Sequence, residues 1–217
     1  MKKALLLIHG LFTNELVMKY LEKKFVDKNY KVYQFNYNSF KYSEKTLKAF
    51  HNYLCYIKSE NVKEISIIGH SLGGLLARNY IHTFNDYPVE IKSLVTIGTP
   101  HNQSQCAQNV MNSIFKNFLG SSGDSGLTIR LSPWTSSIPL GCIAGKHTSV
   151  IGANFFLLNK RNLGDNDGTV FVEEAILENC QDNIVLPGSH TGLLFKPYVF
   201  EQCLNFVEKN KFNKEVS

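Results

Sequence analysis

The sequence has no apolar run approaching the roughly 18 residues that a membrane-spanning helix needs, which excludes a helical span and stable membrane insertion. Near the N-terminus, Met1-Lys2-Lys3 imitates the charged start of an export signal. The apolar stretch that follows, Ala4 to Ile8, stops at His9-Gly10, short of the roughly 7–15 residues such a signal requires. It reads as a strand. Cysteine is sparse and scattered: Cys55, Cys106, Cys142, Cys180 and Cys203 are an odd number, with no C-x-x-C pair and no histidine at zinc spacing. That pattern excludes a disulfide framework or a structural zinc site and suits reduced thiols in a cytoplasmic protein. Long blocks of one charge are missing too. The 23 Lys+Arg and 18 Asp+Glu give a net charge of +5, yet bases and acids alternate along the chain, so a nucleic-acid-binding face is not expected. Only 6 prolines, 15 glycines and no internal repeat rule out collagenous and low-complexity classes.

What is present is 217 residues, 43% of them hydrophobic, enough for one domain spanning 1–217 with a sizeable core. Short apolar runs alternate with longer segments of helical period, the signature of an α/β fold with a mostly parallel sheet covered on both faces. The runs Ala4–Ile8, Lys31–Tyr37, Ile65–Ile68, Leu94–Ile97, Leu140–Ala144 and Ile184–Leu186 predict about six strands. Between them, Asn14 is placed to cap a helix carrying Val17, Tyr20, Leu21 and Phe25, and Ser43 to cap one carrying Leu47, Phe50, Leu54 and Ile57. A third helix is expected from Leu72 to Phe84, and a last one from Pro197, a residue suited to the first helical position. Residues 102–138 break the rhythm. A helical period through Ala107, Val110, Met111, Ile114, Phe115 and Phe118 leads into a Gly- and Ser-rich stretch and then Leu131-Ser132-Pro133-Trp134, too long and irregular for an ordinary connection. It reads as a lid-like insertion.

The strongest chemical signal is Gly69-His70-Ser71-Leu72-Gly73-Gly74. It sits between the strand ending at Ile68 and the helix opening at Leu72, the strand–turn–helix context in which G-x-S-x-G presents a nucleophilic serine. A serine hydroxyl is a weak nucleophile near neutral pH, so the reading demands a histidine to take its proton and an acid to orient that histidine. His51 and His82 fall in helices, and His9 and His70 belong to the turns themselves, which leaves His101, His147 and His190. His190 follows the last strand at the carboxyl edge of the sheet, where ligand sites of open α/β sheets collect, and satisfies the chain order Ser, Asp, His of this fold. His101 opens the insertion and is expected to line the mouth. For the acid, Gly164-Asp165-Asn166-Asp167-Gly168 lies between the fifth and sixth strands, with Asp167 preferred and Asp165 next. The spacing lacks the remaining ligands of a calcium loop. Two backbone N–H groups complete the set as an oxyanion hole: that of Leu72 at the helix start, and that of Leu11 in the first strand's loop, where Gly10 allows close approach. Phe12, Phe115, Phe118, Trp134, Phe155 and Phe156 are candidate lining for an acyl pocket.

Together, Leu7-Ile8-His9-Gly10-Leu11, the Ser71 motif, Gly98-Thr99-Pro100-His101, Asn166-Asp167-Gly168-Thr169-Val170 and Ser189-His190-Thr191-Gly192-Leu193-Leu194 resemble the α/β-hydrolase superfamily and, within it, the small bacterial lipases and esterases. The resemblance implies a minimal form of that fold, with no strand before the His-Gly strand. It also implies that the acid is the Asp of an Asn-Asp-Gly-x-Val turn, Asp167. The expected activity is hydrolysis of carboxylic esters through a Ser71–His190–Asp167 triad and an acyl-enzyme, on a small acyl ester or lipid substrate, with no metal or organic cofactor. Thioester hydrolysis, lysophospholipid hydrolysis and acyl transfer share this chemistry, and a binding protein without turnover shares the fold. No feature assigns an oligomeric state.

Overall fold

Apolar residues fill every position of the first strand because alternate side chains of a strand point to opposite faces, and here both faces are covered. Ala4, Leu6 and Ile8 enter one core, Leu5 and Leu7 the other. The computed structural model describes residues 3–111, 127, 132–146 and 164–215. Strands β1 (Ala4–Ile8), β2 (Lys31–Phe35), β3 (Glu64–His70), β4 (Glu90–Ile97), β5 (Leu140–Lys146) and β6 (Asp182–Pro187) form one open sheet in the order β2-β1-β3-β4-β5-β6. Every pairing in it is parallel, the arrangement that strand–helix–strand crossovers impose.

The helices divide between the two faces. α2 (Glu44–Ser59) and α3 (Leu72–Thr83) bring Phe50, Leu54, Ile57, Leu76 and Tyr80 into one core. α1 (Lys19–Asp27) and α6 (Pro197–Lys209) bring Leu21, Phe25, Val199, Phe200, Cys203 and Phe206 into the other. Two short helices, α4 (Gln105–Met111) and α5 (Val172–Ala175), stand near the carboxyl edge. The Asn14 side chain caps a 3-10 turn, Glu15–Met18, that precedes α1, while Ser43 caps α2 through a reciprocal bond with Thr46. Since all strands run the same way, the loops after β1, β3, β4 and β6 open on one edge. The chain doubles back between β1 and β3, which makes their carboxyl ends the switch point where such sheets leave a crevice.

Candidate active site

Ser71 sits in the turn from β3 to α3 with φ 52° and ψ −121°, a left-handed conformation that costs an L-residue about 1–3 kcal/mol. The surroundings hold it there. Ser71 N–H donates to Ile97 O at 2.9 Å, and Thr99 Oγ1 donates to Ser71 O at 3.0 Å. The turn closes only because two neighbours lack side chains. A Cβ on Gly69 would lie 2.6 Å from Gly74 N, and one on Gly73 would lie 2.5 Å from Ile8 O and His9 O.

Asp167 is 1% exposed. Its Oδ1 accepts from Thr169 N–H at 2.9 Å and Val170 N–H at 2.8 Å, so the carboxylate is aimed by its own turn. Oδ2 lies 2.7 Å from His190 Nδ1, and His190 N–H donates to Asp167 O at 2.9 Å. One residue thereby fixes both ring and backbone of the histidine. Asp165, two positions earlier, points outward and pairs with Lys146 at 2.8 Å. The structure thus joins Asp167 with His190 and sets Asp165 apart. Ser71 Oγ makes no hydrogen bond to the His190 ring among the described residues. The two loops are linked through the neighbour of the serine: His70 Nε2 donates to His190 O at 3.1 Å, and the two rings lie 4.8 Å apart. Burial, then the nearby His190, holds the His70 imidazole well below its ordinary value, so it is neutral at Nδ1. Sequence reading assigned His70 only to the turn. Its place as the second residue of G-x-S-x-G was the signal that it would face the loop after β6.

In the loop after β1, Gly10 O accepts from His9 Nδ1–H at 2.9 Å and from Thr13 Oγ1 at 3.0 Å. Because the peptide is trans, its C=O and N–H point opposite ways, so fixing the Gly10 carbonyl also directs the Leu11 N–H away from those donors. A Cβ on Gly10 would lie 3.0 Å from Ser71 Cβ, which measures how closely this peptide approaches the serine. His9 is braced in turn by Tyr37, stacked at 4.6 Å, whose hydroxyl donates to His9 O at 3.1 Å. Leu72 is the first residue of α3, where helix geometry leaves the N–H without an intrahelical acceptor.

Two expected pocket residues lie elsewhere. His101 is fully buried, not at the mouth. Thr96 Oγ1 pairs with its Nε2 at 2.9 Å, and Arg78 reaches its Nδ1 at 3.3 Å and its carbonyl at 3.0 Å. Burial and the Arg78 charge hold His101 well below its ordinary value, so it spends its polarity on anchoring this segment to the sheet. Arg78 also donates to Ser132 O, which ties residues 101 and 132 to the nucleophile helix. Trp134 belongs to the core beside α2 and α3. It packs edge-on to His82 at 5.4 Å and donates from Nε1 to Ile138 O at 3.2 Å. Phe12 is exposed, at φ 59°, with its edge against Phe40 at 4.9 Å. Phe115, Phe118, His147, Phe155 and Phe156 lie outside the described residues. Among the described residues no cluster of His, Cys, Asp and Glu is arranged to hold a metal ion.

A family model described as the PGAP1-like alpha/beta domain matches residues 11–127. Comparison with curated protein sequences gives no match. Among solved structures, the mature lipase BlEst2 of Bacillus licheniformis is 17% identical, with a TM-score of 0.66 over 95% of this chain and 92% of that one. A structure from work on carboxylesterases of Nitrososphaera gargenis is 16% identical, with a TM-score of 0.60 over 96% and 92%. Phospholipase PlaB of Legionella pneumophila is 14% identical, with a TM-score of 0.65 over 95% of this chain and 58% of that one.

Proposed function

The chain belongs to the PGAP1-like alpha/beta domain family and has the α/β-hydrolase fold, and on that premise we propose that it is a serine hydrolase of carboxylic esters. The observation that carries the reading is the 2.7 Å bond between Asp167 and His190, set on the same sheet edge as a serine held at φ 52°. In this mechanism Ser71 Oγ attacks the acyl carbon as His190 Nε2 takes its proton, and Asp167 stabilises the imidazolium that results. The Leu11 and Leu72 N–H groups receive the negative oxygen of the tetrahedral intermediate. His190 then protonates the departing alcohol, and water activated by the same histidine hydrolyses the acyl-serine. None of these steps calls on a metal or organic cofactor.

Exposed Phe12 and Phe40 beside the Leu11 loop favour an apolar acyl chain, as in a small acyl ester or a lipid. No described helix is long and apolar enough to cross a membrane, and the five cysteines are free thiols, both consistent with work in the cytoplasm. A fluorophosphonate probe tests the reading. Wild type is expected to be labelled at Ser71 and Ser71→Ala to be unlabelled, with p-nitrophenyl ester turnover lost in parallel. Folded wild type that takes no label would instead indicate a binding protein. Turnover that rises with acyl length on an ester panel would extend the substrate class to lipids.

A further inference from the structure

Two thiols that the hydrolase chemistry does not use are brought together at the turn before β6. Cys142 of β5 is fully buried. It lies in register with Thr96 of β4 and Asn183 of β6, so the three side chains share one face of the sheet. Cys180 packs against the core to which Cys142 belongs, and Asn183 Nδ2 donates to its Sγ at 3.9 Å. The backbone pins this turn to β5. Cys180 N–H donates to Leu177 O at 3.2 Å, and Gln181 N–H donates to Leu140 O at 2.8 Å, two residues before Cys142. The Cys142 and Cys180 thiols thereby lie within hydrogen-bonding reach of each other, and the Leu177 N–H and the Thr96 hydroxyl also reach Cys142. The other three cysteines lie on other elements: exposed Cys55 on α2, Cys106 on α4, and Cys203 in the opposite core.

We propose that Cys142 and Cys180 form a peroxide-sensitive dithiol, oxidised in the folded chain to a disulfide that joins β5 to the turn before β6. Cys180 is the half-buried member of the pair, so a hydroperoxide reaches it first. Hydrogen bonds from Cys142 and Asn183 hold the Cys180 thiol below its ordinary value against the effect of burial, while the bond to Cys180 and burial hold Cys142 well above. That division suits Cys180 to attack, since the thiolate is the nucleophile. Its sulfur attacks one oxygen of the hydroperoxide: an S–O bond forms, the O–O bond breaks, and the other oxygen leaves with the thiol's proton as alcohol or water. Cys142 then gives up its proton and attacks the Cys180 sulfur, so that the S–S bond forms as the S–O bond breaks and the hydroxyl leaves as water. Two electrons pass from the sulfurs to the peroxide. The bond closes a loop, residues 142–180, that contains the Asp167 turn. It depends on the two thiols alone and is independent of the hydrolase reading.

Treating the reduced full chain with hydrogen peroxide, blocking the remaining thiols with an alkylating reagent and mapping peptides by non-reducing mass spectrometry reads the link directly. A Cys142–Cys180 linkage is expected, with the loss of two hydrogen atoms, and dithiothreitol is expected to reverse it. The link is expected to form about tenfold faster in the folded chain than in urea, because folding holds the two sulfurs together. Cys142→Ala is expected to stop at a sulfenic acid on Cys180, trapped by dimedone, and Cys180→Ser to leave Cys142 a free thiol. Peroxide that leaves both wild-type thiols free, that drives Cys180 to a sulfinic acid with Cys142 still free, or that forms the link no faster than in urea overturns the proposal. Where Cys142→Ala does not fold, alkylation of the native wild type decides: labelling of Cys180 ahead of Cys142 by about tenfold or more supports the assigned roles, and equal labelling overturns them.

Discussion

Asp165 and Asp167 are two residues apart in one turn, yet their surroundings differ completely. Asp165 is solvated beside Lys146, at 57% side-chain exposure, where an ion pair contributes about 0–1 kcal/mol. Asp167 is buried, receives two backbone N–H bonds and faces the His190 ring. Asp167→Asn is therefore expected to lower kcat by about 10⁴-fold, since an amide stabilises the wrong imidazole tautomer. Asp165→Asn is expected to leave kcat unchanged. Steady-state ester kinetics on the two variants make the check, and the reverse order would assign the acid to Asp165. Sequence alone preferred Asp167 but left Asp165 open, because the direction of a carboxylate in an Asp-rich turn depends on which backbone amides the folded turn presents to it.

At the scale of elements, the packing of α3 against β1 places the serine. Gly73 faces the Ile8 and His9 carbonyls, and an added Cβ would meet backbone atoms at 2.5–2.8 Å, which cannot move aside as a side chain can. Gly73→Ala is expected to destabilise the protein by about 3 kcal/mol or more. Gly164→Ala, where the nearest atom is Phe171 Cδ1 at 3.9 Å, is expected to be near neutral. Urea unfolding midpoints compare the two. All six expected strands were found, but their ends moved for local reasons. β4 starts at Glu90, four residues ahead of its apolar stretch, because Glu90 and Lys92 alternate outward from Ile91. β2 stops at Phe35, since Asn36 and Tyr37 leave the ladder to brace His9. The first covering helix opens as a 3-10 turn and becomes α-helical only at Lys19.

For the whole molecule, buried titratable groups set the response of stability to pH. His70 and His101 are fully buried and held neutral well below their ordinary value of 6.5, and burial also lowers His82, so unfolding in mild acid takes up protons at these rings. Glu174, raised to about 7 in the fold against an ordinary 4.5, does the opposite: it is protonated when folded and releases about one proton on unfolding. Between about pH 6 and pH 5 the histidines outweigh Glu174 and unfolding takes up protons, so stability is expected to fall as acid is added. Removing the opposing group in Glu174→Gln is expected to steepen the slope by up to about one proton, about 1.4 kcal/mol per pH unit. Urea titrations at both pH values measure it, and a slope that Glu174→Gln leaves unchanged would contradict the account.

Period and composition in the chain were sufficient for the parallel sheet, its covering helices and the serine turn, because these follow from local rules: alternation along a strand, amphipathic helical spacing, and glycines where a sharp turn leaves no room. The tertiary structure alone decided which polar groups face each other. Only the folded packing puts Asp167 against His190, sinks His101 under Arg78, moves Trp134 into the core and brings Glu174 to the start of α4. Each of those outcomes depends on contacts between residues 20 to 70 positions apart, where burial and hydrogen bonding, not residue type, assign a side chain its role.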